Sequence, residues 1–197
     1  MDNKISTTAR GEVVVPTGGV WTIDTAHSTV GAVARHLMVT KVRGRFTSFG
    51  GTVHVADPFE GSRVEVTIDA SSIDTGTPQR DDHLRSPDFL DVENHPTIEF
   101  RSTGFEPTGD ATFRLDGDLT IRGITKRVRL DAEYLGLAAD AYGNSRISFS
   151  ATGEIDREEF GMTWNQALET GGMLVSKRLQ IELDVQAIAA KAAKQVA

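Results

Sequence analysis

The sequence predicts an all-β protein, built as an antiparallel barrel or sandwich around one apolar interior. Short runs of alternating apolar and polar residues recur along the chain, and turns containing glycine or proline separate them. Long helical patterns do not alternate with these runs, which argues against a parallel α/β sheet. Because each run has one apolar and one polar face, the pattern favours a sheet that curls around its apolar side.

The alternating runs begin at Trp21 and continue almost to the end of the chain. The first extends to His36 and is interrupted by a polar turn over residues 24–28. Residues 113–134 have the clearest pattern, that of a hairpin with one apolar and one charged face. Further runs are predicted at residues 53–55, 64–68, 98–100, 147–155 and 179–185. Together they predict roughly eight or more strands.

A short helical cap is predicted around residues 77–94, the longest segment that cannot be part of a strand. Thr77-Pro78 suits a helix start, because a threonine hydroxyl can accept hydrogen bonds from free N–H groups and proline fits the first turn. Pro87 should end this helix, since the residue before a proline avoids helical angles. A second, apolar turn then carries Phe89 and Leu90. We expect this segment to cover one end of the sheet or barrel.

Composition and charge limit the partners and the location of the chain. The 21 basic and 28 acidic residues give a formal charge of −7, which disfavours binding to nucleic acid or to an anionic membrane surface. Without cysteine, the 197 residues cannot form disulfides or thiolate metal sites. The apolar runs are shorter than the ~20 residues that span a bilayer, and the first residues lack the apolar segment of an export signal. We therefore expect a cytoplasmic protein without a transmembrane segment.

The polar residues predict neither a metal site nor a catalytic site. The 5 histidines are not spaced as metal ligands, and no nucleophile elbow, phosphate loop or dinucleotide fingerprint occurs. Asp24, His27 and Ser28 have the residue types of a catalytic triad, but residues so close in sequence rarely converge in that geometry. The charged residues 157–159 are interpreted as a solvated face.

Alternation alone does not decide whether the interior is packed or hollow. Inward-facing residues are small on the first long strand, at Ala32 and Ala34, and large on later strands, as at Phe113 and Phe149. Small residues opposite large ones can interdigitate in a packed core, or they can leave a groove. From spacing alone, we interpret this pattern as favouring a packed core.

Several motifs with fixed internal spacing are spread over residues 21–188. They are Trp21-x-Ile23-Asp24-x-x-His27-Ser28 with His36, Gly44-x-Phe46, Arg80-Asp81-x-His83-Leu84-Arg85-Ser86 through Phe89, Asp91-Val92, Pro96 and Phe100, Leu119-Thr120-Ile121-x-Gly123-x-Thr125-Lys126, and Arg157-x-x-Phe160-Gly161-Met162-x-Trp164. Taken together, they resemble the YceI-like family of lipocalin-like barrels that bind polyisoprenoid lipids. The resemblance implies an extended antiparallel lipocalin-like β-barrel over residues 20–189, between a polar N-terminal tail (1–19) and a C-terminal tail (190–197).

The family resemblance further implies that the barrel encloses an elongated apolar tunnel for the tail of a polyprenyl quinone or polyprenyl phosphate. On this basis the cap should gate the tunnel through three of its apolar side chains. The residues expected to line the tunnel, those of the cap included, are Val30, Ala32, Ala34, Val66, Ile68, Leu84, Phe89, Leu90, Phe100, Phe113, Leu115, Leu119, Leu130, Phe149 and Leu183. Family members often have a bulkier residue where this chain has Ala32, which should enlarge or reshape the tunnel.

The polar headgroup of such a lipid is expected near the cap. The candidates to contact it are His36, Arg80, His83 and Arg85. Alternatively, the two arginines among them tie the cap to Asp91 or Glu93. Family members often form dimers, so a homodimer is expected, with membrane contact when lipid is exchanged.

Three kinds of function fit this sequence. The first is non-enzymatic binding, carriage or sequestration of an isoprenoid lipid, with no cofactor other than the bound lipid or quinone. The second is a hydrolase or isomerase-type enzyme that acts on an amphipathic substrate through His27 or His83. The third is a scaffold or interaction module whose core is filled by its own side chains.

Overall fold

The computed structural model describes residues 7–10, 13–16, 18–169 and 172–190. Within them, short 3₁₀ turns at Thr25–His27, Phe59–Gly61, Ala70–Ser72 and Arg157–Phe160 connect longer elements. Those elements are β1 (Thr7–Arg10), β2 (Val13–Pro16), β3 (Gly19–Ile23), β4 (Thr29–His36), β5 (Thr40–Phe46), β6 (Phe49–Val55), β7 (Arg63–Asp69), β8 (Ile73–Asp74), α1 (Pro78–Arg85), β9 (Thr97–Pro107), β10 (Thr112–Ile121), β11 (Ile124–Ala139), β12 (Ser145–Asp156) and β13 (Arg178–Ala189).

Eight antiparallel strands close into a barrel in the order β3-β6-β7-β9-β10-β11-β12-β13, with β13 paired back to β3. Strand β13 uses one edge twice. Its last residues, Ala187–Ala189, pair with β3, whereas Gln180–Asp184 pair with β4. Strands β4, β5 and β8 therefore continue the wall beyond the closed ring, which lengthens the barrel. The predicted all-β antiparallel barrel is confirmed.

The hairpin predicted over residues 113–134 is formed by β10 and β11. Its turn consists of Arg122 and Gly123, which both have positive φ angles, 52° and 70°. Two-residue hairpin turns with this geometry match the right-handed twist of the paired strands. Residues 127–134 alternate between exposed charged and buried apolar side chains. This alternation places the charged residues on the outer surface of the barrel and the apolar ones inside.

The predicted helical cap is also present, with one difference at its start. Helix α1 begins at Pro78 and ends before Ser86, as the two prolines indicate. The Thr77 hydroxyl, however, makes no capping hydrogen bond to the helix backbone and instead accepts from Arg80. The buried Asp81 carboxylate fixes the chain before the helix, because it accepts from the N–H and the hydroxyl of Thr75 at 2.9 and 2.5 Å.

The interior of the barrel is hollow, so the packed-core interpretation is wrong. A cavity of about 750 Å³ separates the walls. One apolar cluster, which includes Trp21 and Ile147, closes the end of the barrel away from the cap. A second, which includes Phe89 and Phe160, lies under the cap. Between them, the small side chains of β4, such as Ala32, are too short to reach the opposite wall. The filled-core scaffold therefore lacks its structural basis.

The predicted tails lie partly outside the described residues. Within residues 1–19, β1 and β2 pair in antiparallel orientation, and Val15 is buried in the apolar cluster away from the cap. Of residues 190–197, only Ala190 is described. The tail boundaries stay predictions. Among the described residues, no helix combines the length and the apolar character needed to cross a membrane.

Candidate functional site

The cavity is the candidate functional site, and its wall is almost entirely apolar. Every apolar residue that was predicted to line the tunnel contributes to this wall. The cap supplies Leu84, Phe89 and Leu90, and the strands supply the others. For the residues on strands, alternation identifies the inward side correctly, because each lies on the face opposite to a polar one.

Other lining residues were not predicted. Phe46, Phe49 and Ile181 lie on strands whose inward face could be identified, and alternation was a sufficient signal for them. Met162 and Trp164 lie in the irregular segment after β12, where no alternation identifies the inward side. Only the family motif Arg157-x-x-Phe160-Gly161-Met162-x-Trp164 singled out those two positions.

An aromatic group lies where the cap meets the cavity. The His83 ring is edge-on to Phe89 and Trp164, with centroids 5.0 and 4.7 Å apart. Its Nε2 lies 3.0 Å from a carboxylate oxygen of Asp88. His83 therefore combines an apolar contact surface with a polar edge that is held by an acidic partner.

The candidate headgroup residues divide into two sets. His36, Arg80 and His83 line the cavity, whereas Arg85 does not. The Arg85 guanidinium donates to the carbonyls of Ser71 and Ile73 at 2.7 and 2.8 Å, so it attaches the cap to the barrel wall.

Arg80 is likewise bound close to the start of the cap. It donates to the hydroxyl and the carbonyl of Thr75 at 2.7 and 2.9 Å. The alternative that Arg80 and Arg85 tie the cap to Asp91 or Glu93 is therefore wrong, since both guanidiniums bind backbone or hydroxyl groups that precede the helix, and the carboxylate that Arg85 contacts is Asp82, at 3.1 Å within the helix.

Arg157 is the residue whose position in the structure differs most from the prediction. Its side chain is 1% exposed and lines the cavity, so the solvated-face interpretation is wrong for it. Nε donates to the Ser176 carbonyl at 3.0 Å, and Nη1 donates to the Met162 carbonyl. Among the described residues, Nη2 has no acceptor, and the guanidinium lies 5.8 Å from the centre of the Phe89 ring. Burial lowers the pKa of this guanidinium below its usual range.

The residues with the types of a catalytic triad do not form one. The His27 Nδ1 lies 2.8 Å from the Asp24 carboxylate, but Ser28 Oγ donates to the Asp24 carbonyl at 2.7 Å and accepts from the Gln186 N–H at 3.0 Å. Ser28 is thus held by the backbone and not by the imidazole. His27 is exposed and lies outside the cavity lining. An acid–base role of His27 on a guest in the cavity is therefore not supported.

Asp24 belongs to a polar cluster around Arg146 at the barrel end away from the cap. Arg146 donates to the Asp24 carboxylate, to Asp140 at 2.9 Å and to Gln186 at 2.7 Å. The hydrogen bond from Arg146 is the main cause that lowers the pKa of Asp24. Hydrogen bonds from Asn144, with Arg146 contributing, hold the pKa of Asp140 well below its usual range.

These two carboxylates predict a loss of stability in acid. Folding lowers both pKa values, so the unfolded chain binds more protons near pH 4, and the stabilisation is complete above the unfolded pKa. We expect the free energy of unfolding to fall progressively as the pH drops below about 5, toward the lowered folded pKa values of the two carboxylates. Denaturant titrations over this range measure the slope. Arg146→Met should reduce stability at neutral pH and flatten the slope, and an unchanged slope would contradict this assignment.

The cavity and its surroundings offer little to a metal ion. Within the part of the chain that the structure describes, no group of three or more His, Cys, Asp or Glu side chains is placed to hold one. Structural and catalytic zinc sites need at least three such ligands.

The elongated barrel, the cap and the motif residues together agree with a known family, and residues 21–187 match the YceI-like domain. The chain belongs to the YceI-like family. Within this family it is similar to a UPF0312 protein of Staphylococcus aureus (strain bovine RF122 / ET3-1), with 36% identity over 168 residues, which cover 84% of this chain and 95% of that protein.

Two solved structures have the same YceI-like fold. Burkholderia cenocepacia BcnA aligns with a TM-score of 0.71 and 24% identity, over 83% of this chain and 98% of that chain. A polyisoprenoid binding domain from Saccharophagus degradans, implicated in plant cell wall breakdown, aligns with a TM-score of 0.64 and 12% identity, over 86% of this chain and 98% of that chain. The resemblance inferred from the motifs is confirmed.

Proposed function

We propose that this protein binds an isoprenoid lipid in the cavity and carries or sequesters it without chemical change. The observation that carries the proposal is the 750 Å³ apolar cavity that runs between the two apolar clusters of the barrel. Cavities of about 300–1,000 Å³ typically enclose small-molecule ligands. The YceI-like family and the polyisoprenoid-binding domain of the same fold support an isoprenoid as the guest.

The lining suits a long apolar chain. An isoprene unit has about five apolar carbons, and at ~0.8 kcal/mol per buried carbon each unit contributes ~4 kcal/mol gross. Ordering the flexible chain offsets part of this gain. A few units in a dry cavity therefore suffice for tight binding, and no charged anchor is required.

The headgroup of the guest is proposed to lie at the cap. Arg80 and His83 line the cavity from the cap and His36 lines it from the end of β4, and all three supply hydrogen-bond donors. The buried Arg157 guanidinium has one N–H group without an acceptor on the described residues. Both a quinone carbonyl and a phosphate oxygen can accept from such donors. The finer proposal is thus a polyprenyl quinone or polyprenyl phosphate whose polar end faces these residues.

A second candidate function is acid–base catalysis by His83. The observation that favours it is the 3.0 Å contact between His83 Nε2 and the Asp88 carboxylate, next to the cavity. A carboxylate that holds an imidazole is a common arrangement in general acid–base catalysis. A turnover of the extracted guest that disappears in His83→Gln, with binding retained, would establish this function.

Trp164 provides a direct signal for guest binding. It lines the cavity, whereas Trp21 is buried in the cluster at the other end. We expect delipidated protein to bind an added polyprenyl quinone, with quenching of Trp164 fluorescence, because the quinone ring should lie within contact distance of the indole. Native mass spectrometry of protein as purified should show a hydrophobic guest whose mass varies by whole isoprene units.

The matched control for this titration is Trp164→Phe, which keeps an apolar ring in the wall. It should retain the guest in the mass spectrum and lose the quenching. Protein that is repeatedly recovered empty, and that takes up neither quinone nor polyprenyl phosphate, would refute the proposed function. Uptake of only one of the two lipids would identify the headgroup class.

A further inference from the structure

The turn between β4 and β5 presents an exposed apolar tip beside the cavity. Leu37, Met38 and Val39 form this tip, and they are 45%, 54% and 74% exposed. The Leu37 N–H donates to the carbonyl of Leu174 at 2.9 Å, so the tip adjoins Met173, which is 43% exposed. Both neighbours of the tip, His36 and Leu174, line the cavity. The exposed apolar surface therefore continues outward from the cavity wall.

The backbone conformation of this tip is unfavourable for the residue types that occupy it. The Val39 N–H donates to the His36 carbonyl and closes a turn in which Leu37 and Met38 have φ angles of 52° and 62°. Turns with positive φ at both central positions favour Asn-Gly, because side chains such as Leu and Met are strained there. Neither side chain compensates for this strain by burial. Such strain at an exposed position indicates a function outside the fold itself.

The outer face of the same hairpin is basic, although the whole chain has a formal charge of −7. Arg35 and Lys41 are exposed and lie directly opposite each other in the β4–β5 register. Like charges in this position weaken a strand pair. Arg43 follows on the same face, but its charge is paired with the Glu182 carboxylate at 3.6 Å, so Arg35 and Lys41 make up the basic surface. The net charge of the chain therefore conceals a basic surface next to the apolar tip.

We propose that this hairpin docks the barrel onto bilayers that contain anionic lipid. Only the purpose of the docking, which is the exchange of a guest, rests on the proposed function. Leu37, Met38 and Val39 enter the interface between headgroups and acyl chains, while Arg35 and Lys41 attract the anionic headgroups. Apolar side chains flanked by basic residues bind the membrane surface in this way. The overall negative charge causes the rest of the barrel to be repelled by the same anionic surface.

The test replaces the tip by the pair that its turn favours, Leu37→Asn with Met38→Gly. This variant should fold and melt at an equal or higher temperature, because both residues suit positive φ angles. Cosedimentation with vesicles of phosphatidylcholine containing about one third phosphatidylglycerol should fall at least about tenfold, since two apolar side chains no longer enter the interface. Undiminished vesicle binding by this variant would overturn the proposal.

Two further double variants separate the contribution of the apolar tip from those of other exposed apolar residues and of the basic residues. Leu135→Ser with Tyr142→Ser removes exposed apolar side chains at the opposite end of the barrel and should leave vesicle binding unchanged. Arg35→Ser with Lys41→Ser should abolish the preference for anionic vesicles over pure phosphatidylcholine. An equal loss in the Leu135/Tyr142 variant, or a tip variant whose sedimentation shows loss of a dimer that the wild type forms, would assign the tip to another role.

Uptake of guest distinguishes this proposal from the proposed function. The tip variant should bind a polyprenyl quinone from detergent solution as the wild type does, detected by Trp164 quenching, but should take it up from vesicles more slowly. Wild-type protein that binds vesicles and takes up no guest from either source would refute lipid carriage and leave the docking surface standing. Wild-type protein that takes up guest but ignores anionic vesicles would overturn the docking surface alone.

Discussion

Filling the cavity from β4 should displace the guest while the fold remains intact. Ala32 and Ala34 line the cavity and pair with Gly44 and Val42 on β5, so this part of the wall contributes little side-chain volume. In Ala32→Phe with Ala34→Phe, each ring takes the place of about six guest carbons, a gross loss of ~5 kcal/mol per ring. We expect the bound lipid to become shorter or absent, because its chain is held mainly by this apolar surface.

Native mass spectrometry and lipid extraction measure this effect, and thermal unfolding shows whether the barrel survives. Stability should be equal or higher, since the new rings fill space that otherwise lacks protein contacts. Glu133→Phe is the matched control, because it adds a ring to the outer face of β11 and should leave the guest unchanged. An unaltered guest in the double variant would show that β4 does not contribute to the binding surface.

The barrel could be predicted because most of its strands face two different environments. On β11, charged residues such as Arg129 and Asp131 lie outside, while Leu130 and Ala132 lie inside, and this contrast is written directly in the sequence. The cap could be predicted because Pro78 and Pro87 restrict the backbone whatever surrounds them. Both signals depend only on residues that are close in sequence, so they can be identified without knowledge of the remaining chain.

The hollow interior could not be predicted by the same means. Alternation tells which side of a strand Ala32 occupies, but not the distance to the wall it faces. That distance depends on the order of all eight strands and on the way β4 leaves the closed ring. The family resemblance supplied the tunnel instead.

The positions of the arginines were missed for a related reason. A run of charged residues at 157–159 has the composition of a solvated surface, and nothing nearby in sequence shows that Ser176 and Met162 present carbonyls to Arg157. The same holds for Arg85, whose acceptors, Ser71 and Ile73, precede the cap. Hydrogen bonds of a side chain to distant backbone carbonyls leave no periodic pattern, and only the folded chain reveals them.

Arg157 should be the most sensitive polar position in the barrel. Arg157→Ala removes the donors to the carbonyls of Ser176 and Met162, both of which hold the segment that returns from β12 to β13. Each buried carbonyl left without a partner costs ~1–3 kcal/mol, so the pair should destabilise the fold by roughly 2–6 kcal/mol. Because this segment carries Trp164 into the cavity wall, guest dissociation should also accelerate.

The comparison with Arg178→Ala isolates the effect of burial. Arg178 lies at the end of the same segment and pairs with Glu154 at 2.7 Å, but its side chain is 76% exposed. An exposed ion pair contributes little to stability, because solvent screens it and ordering the two side chains opposes it. Denaturant unfolding should therefore separate the two variants widely, with Arg157→Met between them, since it restores apolar volume without donors. If Arg157→Ala unfolds at the same denaturant concentration as Arg178→Ala, the buried guanidinium does not hold this segment. Binding the headgroup of the guest through its free N–H group would then be its remaining role.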